Sequence, residues 1–204
     1  FDLNFAAFYS LFKNYQLNTF NGVNFEVTNL QACKDNLNGA DRDTSASTGA
    51  CAANRTQAGV KSKGFEIEGV LRPARDVSVN LGLTYSDTKY RKNLVGANGV
   101  PLAPTLFQLP GRQLSNAPKY VVTTGFSYSP EIGSSGLSGL LYVDARYQSD
   151  TNTGSDLDQE KIQDGFLVVN GRIGLYGRDK KGGVEVFGQN LFNRKYQQVA
   201  ADAP

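Results

Sequence analysis

Apolar and polar residues alternate along most of the chain. From Phe1 to Leu11 the odd positions hold Phe1, Leu3, Phe5, Ala7, Tyr9 and Leu11, while the even ones include Asp2, Asn4, Ala6 and Ser10. Val77, Val79, Leu81, Leu83 and Tyr85 alternate with Ser78, Asn80, Gly82 and Thr84. The same period runs through Phe65, Ile67 and Leu71 against Glu66, Glu68 and Arg72, and through Tyr120, Val122, Phe126 and Tyr128. It recurs in Leu141, Val143, Ala145 and Tyr147, and again in Leu167, Val169, Ile173 and Leu175. Val184 and Val186, set against Glu185 and Phe187, open a last run. A period of two places successive side chains on opposite faces of a β-strand. No segment carries the 3.6-residue period of an amphipathic helix, so the chain is predicted to be all-β, with about seven strands.

Strands with one apolar and one polar face suit two architectures. A soluble antiparallel sandwich packs the apolar face and wets the other. A transmembrane barrel turns the apolar face to lipid and the polar face to a wet lumen. The patterned runs last about 10–15 residues, longer than a usual strand of about 5–6 and suited to a tilted bilayer crossing. The connections separate the two readings more sharply, because long and short alternate. The long ones are expected at Asn21–Ala58, Arg91–Ala117 and Ser149–Asp164, with another starting after Tyr196. The short ones are Pro73–Asp76, Pro130–Gly136 and Gly177–Gly183. An up-and-down meander gathers all the long loops at one rim and the short turns at the other, as in outer-membrane barrels. A sandwich has no reason to keep that asymmetry. The pattern therefore favours an antiparallel up-and-down transmembrane β-barrel over the sandwich. Glu66, Glu68, Arg72, Asp144, Arg146, Arg172 and Glu185 would line its wall and pair across strands. Tyr15, Tyr85, Tyr120 and Tyr147 would form an aromatic belt at the long-loop rim, and Phe1, Phe5, Phe126 and Tyr128 one at the short-turn rim.

Composition narrows the function. Lys and Arg number 21 and Asp and Glu 19, for a formal charge of +2, so the overall balance suggests neither a nucleic-acid partner nor a general anionic-membrane role. The chain has no His. Ser/His catalysis cannot be complete within it, no carboxylate pair stands out from the wall, and an enzyme is not expected. The longest apolar runs, such as Leu167–Val169, are far too short for a membrane helix. Phe1–Ser10 has neither the basic nor the apolar region of a signal peptide, so the chain either lacks a targeting segment or is a piece of something longer. Cys33 and Cys51 lie in a polar segment rich in Gly, Ser, Asn and Asp, about 31–58, that reads as a loop insertion. In an oxidising compartment two such cysteines read as a disulfide, and the alternatives are two independent thiols or, with no His nearby, a less suitable zinc site.

Several stretches resemble the C-terminal part of a TonB-dependent outer-membrane receptor. VKSKGFEIEGVLRP (Val60–Pro73) is similar to that family's "RSKGVELE" strand, followed by a tight turn and VSVNLGLTYSDTKY (Val77–Tyr90). LPGRQLSNAPKY (Leu109–Tyr120) resembles the "G..L.NAPK" segment that leads into the next strand. LLYVDARYQSD (Leu140–Asp150) and VVNGRIGL (Val168–Leu175) match the following pair, and VEVFGQNLFNRKY ends like the family's "NLFDKRY" penultimate strand. The resemblance covers nearly all of residues 1–204 apart from the cysteine segment. It implies a barrel of about 22 strands around an N-terminal plug domain. This chain would then be a partial barrel domain lacking the plug, the TonB-engaging motif and the last strand.

The resemblance further implies residence in the outer membrane of a Gram-negative bacterium and TonB-energised uptake of a scarce substrate (siderophore, vitamin, sugar or similar) through substrate binding and plug gating. It implies as partners the TonB complex, outer-membrane lipid and an extracellular small molecule. It implies no nucleic acid and no cofactor, and a monomeric full-length receptor. A passive porin-like or structural barrel is the alternative, with a soluble carbohydrate-binding β-sandwich behind it. Within the long loops, Arg91, Lys92 and Arg112 are candidates for attracting an anionic substrate. Asp150, Asp156, Asp158 and Glu160 are candidates for holding a cation or hydrogen-bonding a sugar. The acidic loop has alternating oxygen ligands, but its Gly and its acidic end fall out of place for an EF-hand, and no metal is expected there.

Overall fold

The computed structural model describes residues 1–20, 23–35, 37, 49–178 and 181–202. The start of the first long loop at Asn21 and Gly22, much of the cysteine-containing insertion (36 and 38–48), positions 179–180 of the last short turn and the final two residues lie outside the described residues. The strands, in chain order, are β1 (Asp2–Phe12), β2 (Tyr15–Phe20), β3 (Phe25–Cys33), β4 (Thr56–Ala58), β5 (Val60–Ala74), β6 (Val77–Tyr90) and β7 (Leu94–Val95). They continue with β8 (Tyr120–Tyr128), β9 (Glu131–Ile132), β10 (Leu137–Gln148), β11 (Thr151–Asn152), β12 (Ile162–Gln163), β13 (Phe166–Tyr176) and β14 (Gly183–Gly188). Among the described residues the only helical turns are short 3₁₀ turns in loops, and no helix is long and apolar enough to cross a membrane.

Seven strands form one antiparallel sheet in the order β1-β5-β6-β8-β10-β13-β14, with β9 extending the turn onto β10. Spatial neighbours are chain neighbours once the loop strands are set aside, which is the up-and-down meander. The sheet does not close, so the protein is a partial barrel with β1 and β14 at its edges. The register carries the sequence pattern across strands. Phe5, Ile67, Leu83, Val122, Tyr147 and Leu167 pair in one row, and Val77, Tyr128, Leu141, Ile173 and Val186 in another. These outward rows stay open to the surroundings: Phe5 is 67% exposed, Ile173 57% and Val186 64%. In water so continuous an apolar face would aggregate. Facing lipid it is the stable arrangement, since neighbouring strands pair most of the backbone groups inside the sheet.

The opposite face is polar and small. Asn4, Glu68, Gly82, Thr123 and Arg146 share one row, and Asn80, Gly125, Asp144 and Asn170 another. Charges pair across it: Arg172 reaches Glu185 at 3.3 Å, and Arg72 reaches Asp2 at 2.7 Å. Gly64 is required where it sits, because a Cβ there would lie 1.9 Å from the Tyr85 carbonyl oxygen and 2.6 Å from the Phe8 ring.

The dry core lies in the long loops instead of between sheets. Leu30, Leu106 and Leu109 are fully buried and pack with Leu17, Leu94, Leu102, Leu114 and Leu157 against Val60 and Tyr90, the inward residues where β5 begins and β6 ends. Two aromatics differ from the belt expectation. Tyr15 turns inward and meets Tyr90 edge-on at 6.2 Å, because the chain has already left β1 and entered the β2–β3 hairpin. Phe5 lies mid-strand opposite Ile67 and stacks on Phe65 at 6.3 Å, so it heads an aromatic line that continues through Tyr85 to Tyr120. Cys33 and Cys51 are joined by a disulfide with Cα atoms 5.7 Å apart, and the pair packs on Val95 of β7.

Candidate functional site

Where the inner wall meets the long loops, β10 and β13 bring four polar side chains together. Asp144 and Asn170 are direct cross-strand partners, and the Asn170 amide donates to Asp144 Oδ2 at 2.8 Å. Two residues further along, Arg146 donates to Gln148 at 2.7 Å. The fourth wall of the space comes from beyond β14. That strand stops at Gly188, and Asn190 and Asn193 take positive φ, a conformation Asn tolerates better than most residues. Asn190 locks the bend: its backbone N–H donates to Asn170 Oδ1 at 2.9 Å, and its own Oδ1 accepts from the Arg194 N–H at 2.8 Å. The chain then crosses back over the wall, where Tyr196 stacks on Phe166 with centroids 4.3 Å apart and planes 12° off parallel. The Gln197 amide donates to Thr153 Oγ1 at 2.6 Å.

These groups enclose an open cavity of about 460 Å³ lined by Asp144, Arg146, Asn170, Phe166, Tyr196 and Gln197, among others. It presents a carboxylate, a guanidinium, several amides and an aromatic pair to whatever occupies it. That set suits hydrogen bonding and stacking.

The acidic loop between β10 and β13 is held by an ion cluster. Lys161 is almost fully buried, and its ammonium lies 2.5 Å from Asp156, 2.6 Å from Asp202 and 3.6 Å from Asp158. Burial pushes the Asp156 carboxyl up, but hydrogen bonds from Lys161 and the Asp158 N–H, with the Asp202 contact, outweigh it and leave the carboxyl below its ordinary range. Burial and then the neighbouring Asp156 charge raise Asp158. Burial pulls Lys161 down, while its bonds to Asp156 and Asp202 more than restore it, for a net rise. The three carboxylates are close enough to surround one cation. The ammonium already serves as that cation, which explains why an alternating acidic loop is stable without the geometry of a calcium loop.

The candidate residues disperse over the mouth. Arg91 is half-buried, with its Nε sealed from solvent and unpartnered among the described residues. Lys92 is exposed beside Gly111. Arg112 is exposed and lines a second, shallower cavity with Lys89, Lys119 and Asp150. Asp156 and Asp158 belong to the Lys161 cluster, and Glu160 projects into solvent from a 3₁₀ turn. The inner-wall set was visible in sequence only as wall residues. Tyr196, Gln197 and Asp202 gave no local signal, because their role depends on a chain reversal set by the Asn190 bend.

An antiparallel meander with a lipid-ready outer face, a charged inner face and loops folded over one rim defines an outer-membrane-type β-barrel protein. A family model for the TonB dependent receptor-like β-barrel matches residues 1–191, and the chain belongs to that family. Members of the family are outer-membrane receptors and transporters, not enzymes. No curated protein matches the chain.

Proposed function

We propose that this chain is part of the barrel of a receptor that takes up a scarce external substrate, such as a siderophore, vitamin or sugar, with energy delivered through TonB and gating by a plug domain outside this sequence. The supporting observation is the cavity at the inner wall beneath the folded loops. Its volume of about 460 Å³ falls in the usual range for small-molecule sites, about 300–1,000 Å³. Fixed hydrogen-bonding groups next to a stacked aromatic pair favour a polar, ring-bearing or multiply hydroxylated ligand. Of the loop candidates, Arg112 and Asp150 stand at the mouth and would meet the substrate before the wall does.

The test uses cells lacking the native gene and complemented with the complete protein. Uptake should appear with complementation and stop when the proton-motive force is collapsed. Tyr196→Ala should weaken substrate binding about three- to tenfold with surface expression unchanged. Uptake that continues at full rate in de-energised cells would instead support a passive pore and end the receptor reading.

A further inference from the structure

Two segments frame the outer end of the wall cavity. One is the acidic loop, residues 149–165, between β10 and β13. The other is the strap that follows β14, residues 189–202, which carries Tyr196 and Gln197 over the cavity. From 195 to 202 the strap has no strand or helix of its own, so its path is set by what it is tied to. Its start is tied to the wall. The Asn190 N–H reaches Asn170, and the Leu191 N–H donates to the Val169 carbonyl at 2.8 Å. Its far end is tied to the acidic loop. The Gln197 N–H donates to Gln163 Oε1 at 2.6 Å, and the Ala200 N–H to the Thr153 carbonyl at 3.2 Å. The Lys161 ammonium completes this second anchor, bridging Asp202 on the strap and Asp156 on its own loop. Tyr196 lies between the two anchors, and Lys161 itself does not line the cavity.

The far anchor is one network. Thr153 is 2% exposed, and its N–H and hydroxyl both donate to the Lys161 carbonyl, at 2.8 and 2.9 Å. Its two oxygens accept from the strap, the hydroxyl from the Gln197 side chain and the carbonyl from the Ala200 N–H. Lifting the strap would strip partners from a buried residue, and lifting the loop would strip them from the strap. The loop is also held away from a relaxed shape. Leu157 takes a φ of 66° while its side chain is buried among Leu106, Leu109 and Leu114 of the preceding long loop. A bulky residue keeps such a conformation only where its surroundings over-determine it. Gly154 makes room for the bridge, since a Cβ there would lie 2.2 Å from Lys161 Cδ. Buried groups that share partners in this way open together.

We propose that Lys161 is a positioning residue for the wall cavity: by bridging Asp156 and Asp202 it makes the acidic loop and the strap a single opening unit and so fixes Tyr196 and Gln197 over the cavity. When that unit opens, the strap swings about the bend at Asn190, which stays on the wall, and Tyr196 leaves Phe166. The meaning of this for substrate rests on the uptake reading of the cavity. The mechanical coupling of the two segments does not.

The experiment uses the complete receptor purified in detergent and follows hydrogen exchange at single amides by mass spectrometry. In the native protein the Thr153 and Ala200 amides should show the same dependence on sub-denaturing urea, as amides released in one event do. K161M should quicken both by the same factor, about 150-fold. The Arg194 amide, bonded inside the bend to Asn190 Oδ1, should stay within about threefold of native. D202N is the sharper test, because it changes only the strap and keeps the buried Lys161–Asp156 pair. Coupling should carry its effect across to Thr153, a rise of about three- to fivefold. Different urea dependences for Thr153 and Ala200 in the native protein would overturn the proposal, and that result needs no variant to fold. So would a D202N protein in which Ala200 exchanges faster and Thr153 at the native rate. D35N removes the exposed Arg55–Asp35 pair of the cysteine segment and should move neither amide. An equal rise there would show general loosening and overturn the proposal as well. No substrate enters the readout, so failure here leaves the uptake reading intact, and a passive pore would leave the coupling intact.

Discussion

Replacing Lys161 with Met should open the acidic loop while leaving the sheet in place. The Lys161 side chain is 9% exposed and that of its closest partner, Asp156, 12% exposed, so their pairing at 2.5 Å is a buried one. Removing one member of a buried pair costs about 3–5 kcal/mol, because the remaining charge stays desolvated. Asp158 and Asp202 are 38% and 39% exposed, and solvent screens most of their share. A loss of about 3 kcal/mol follows, equivalent to about a 150-fold rise in local opening. The readout is hydrogen exchange at the Thr153 amide, whose bond to the Lys161 carbonyl measures 2.8 Å and breaks when the loop opens. Exchange should quicken by about that factor, and the double variant K161M/D156N should recover much of it by removing the stranded carboxylate. The pH dependence has a definite sign. Asp156 is depressed in the folded protein, so its contribution is complete above its unfolded titration and fades as pH falls through the folded value. Lys161 is raised, so its contribution is complete below its unfolded titration and fades only as pH rises through the folded value. Asp158 is raised and opposes: its ionisation costs stability at neutral pH and the cost is relieved in acid. The loop should therefore be tightest between the acidic titration of Asp156 and the strongly alkaline titration of Lys161. An exchange rate in K161M within threefold of the parent at neutral pH would refute the buried-pair argument.

Two further outcomes test the sheet and the mouth. Leu81→Arg on the outer face should destabilise the membrane-inserted barrel by about 2–4 kcal/mol if it lies near the bilayer midplane, whereas Glu66→Arg on the inner face should cost far less; urea unfolding in lipid vesicles measures both. Loss of the Cys33–Cys51 bridge, with a sequence separation of 18, should remove about 3 kcal/mol from the folding of its loop and raise protease cleavage there without altering the β-sheet signal.

The wall was legible in sequence because two different solvents act on its two faces. Lipid outside and water inside enforce the alternation at nearly every residue, so the pattern over Phe1–Leu11 marked β1 (Asp2–Phe12) to within one residue at each end. The loops obey no such rule. The β2–β3 hairpin reads as loop in the sequence because its inward residues, among them Tyr15, Leu17, Thr19, Leu30 and Ala32, fall in runs too short to stand out. Tyr15 could be assigned to a belt from its position but not from its partner, Tyr90, which is 75 residues away in sequence and adjacent in space. The wall cavity needed the reversal at Asn190, and the pairing of Lys61 with Lys89 across two strands needed their register. A net charge of +2 averages such clusters away.

The fully buried leucines of the mouth have a thermodynamic consequence of their own. The outward apolar rows owe nothing to water once they lie in lipid, but the Leu30–Leu106–Leu109 cluster is an aqueous hydrophobic core and carries the heat capacity of one. Urea weakens that core at concentrations below those that unfold the lipid-embedded wall, while cooling weakens it by a different route. The mouth and the wall are thus two phases in one chain. The mouth can melt, and with it any recognition surface it supports, in a membrane where the wall is still fully folded.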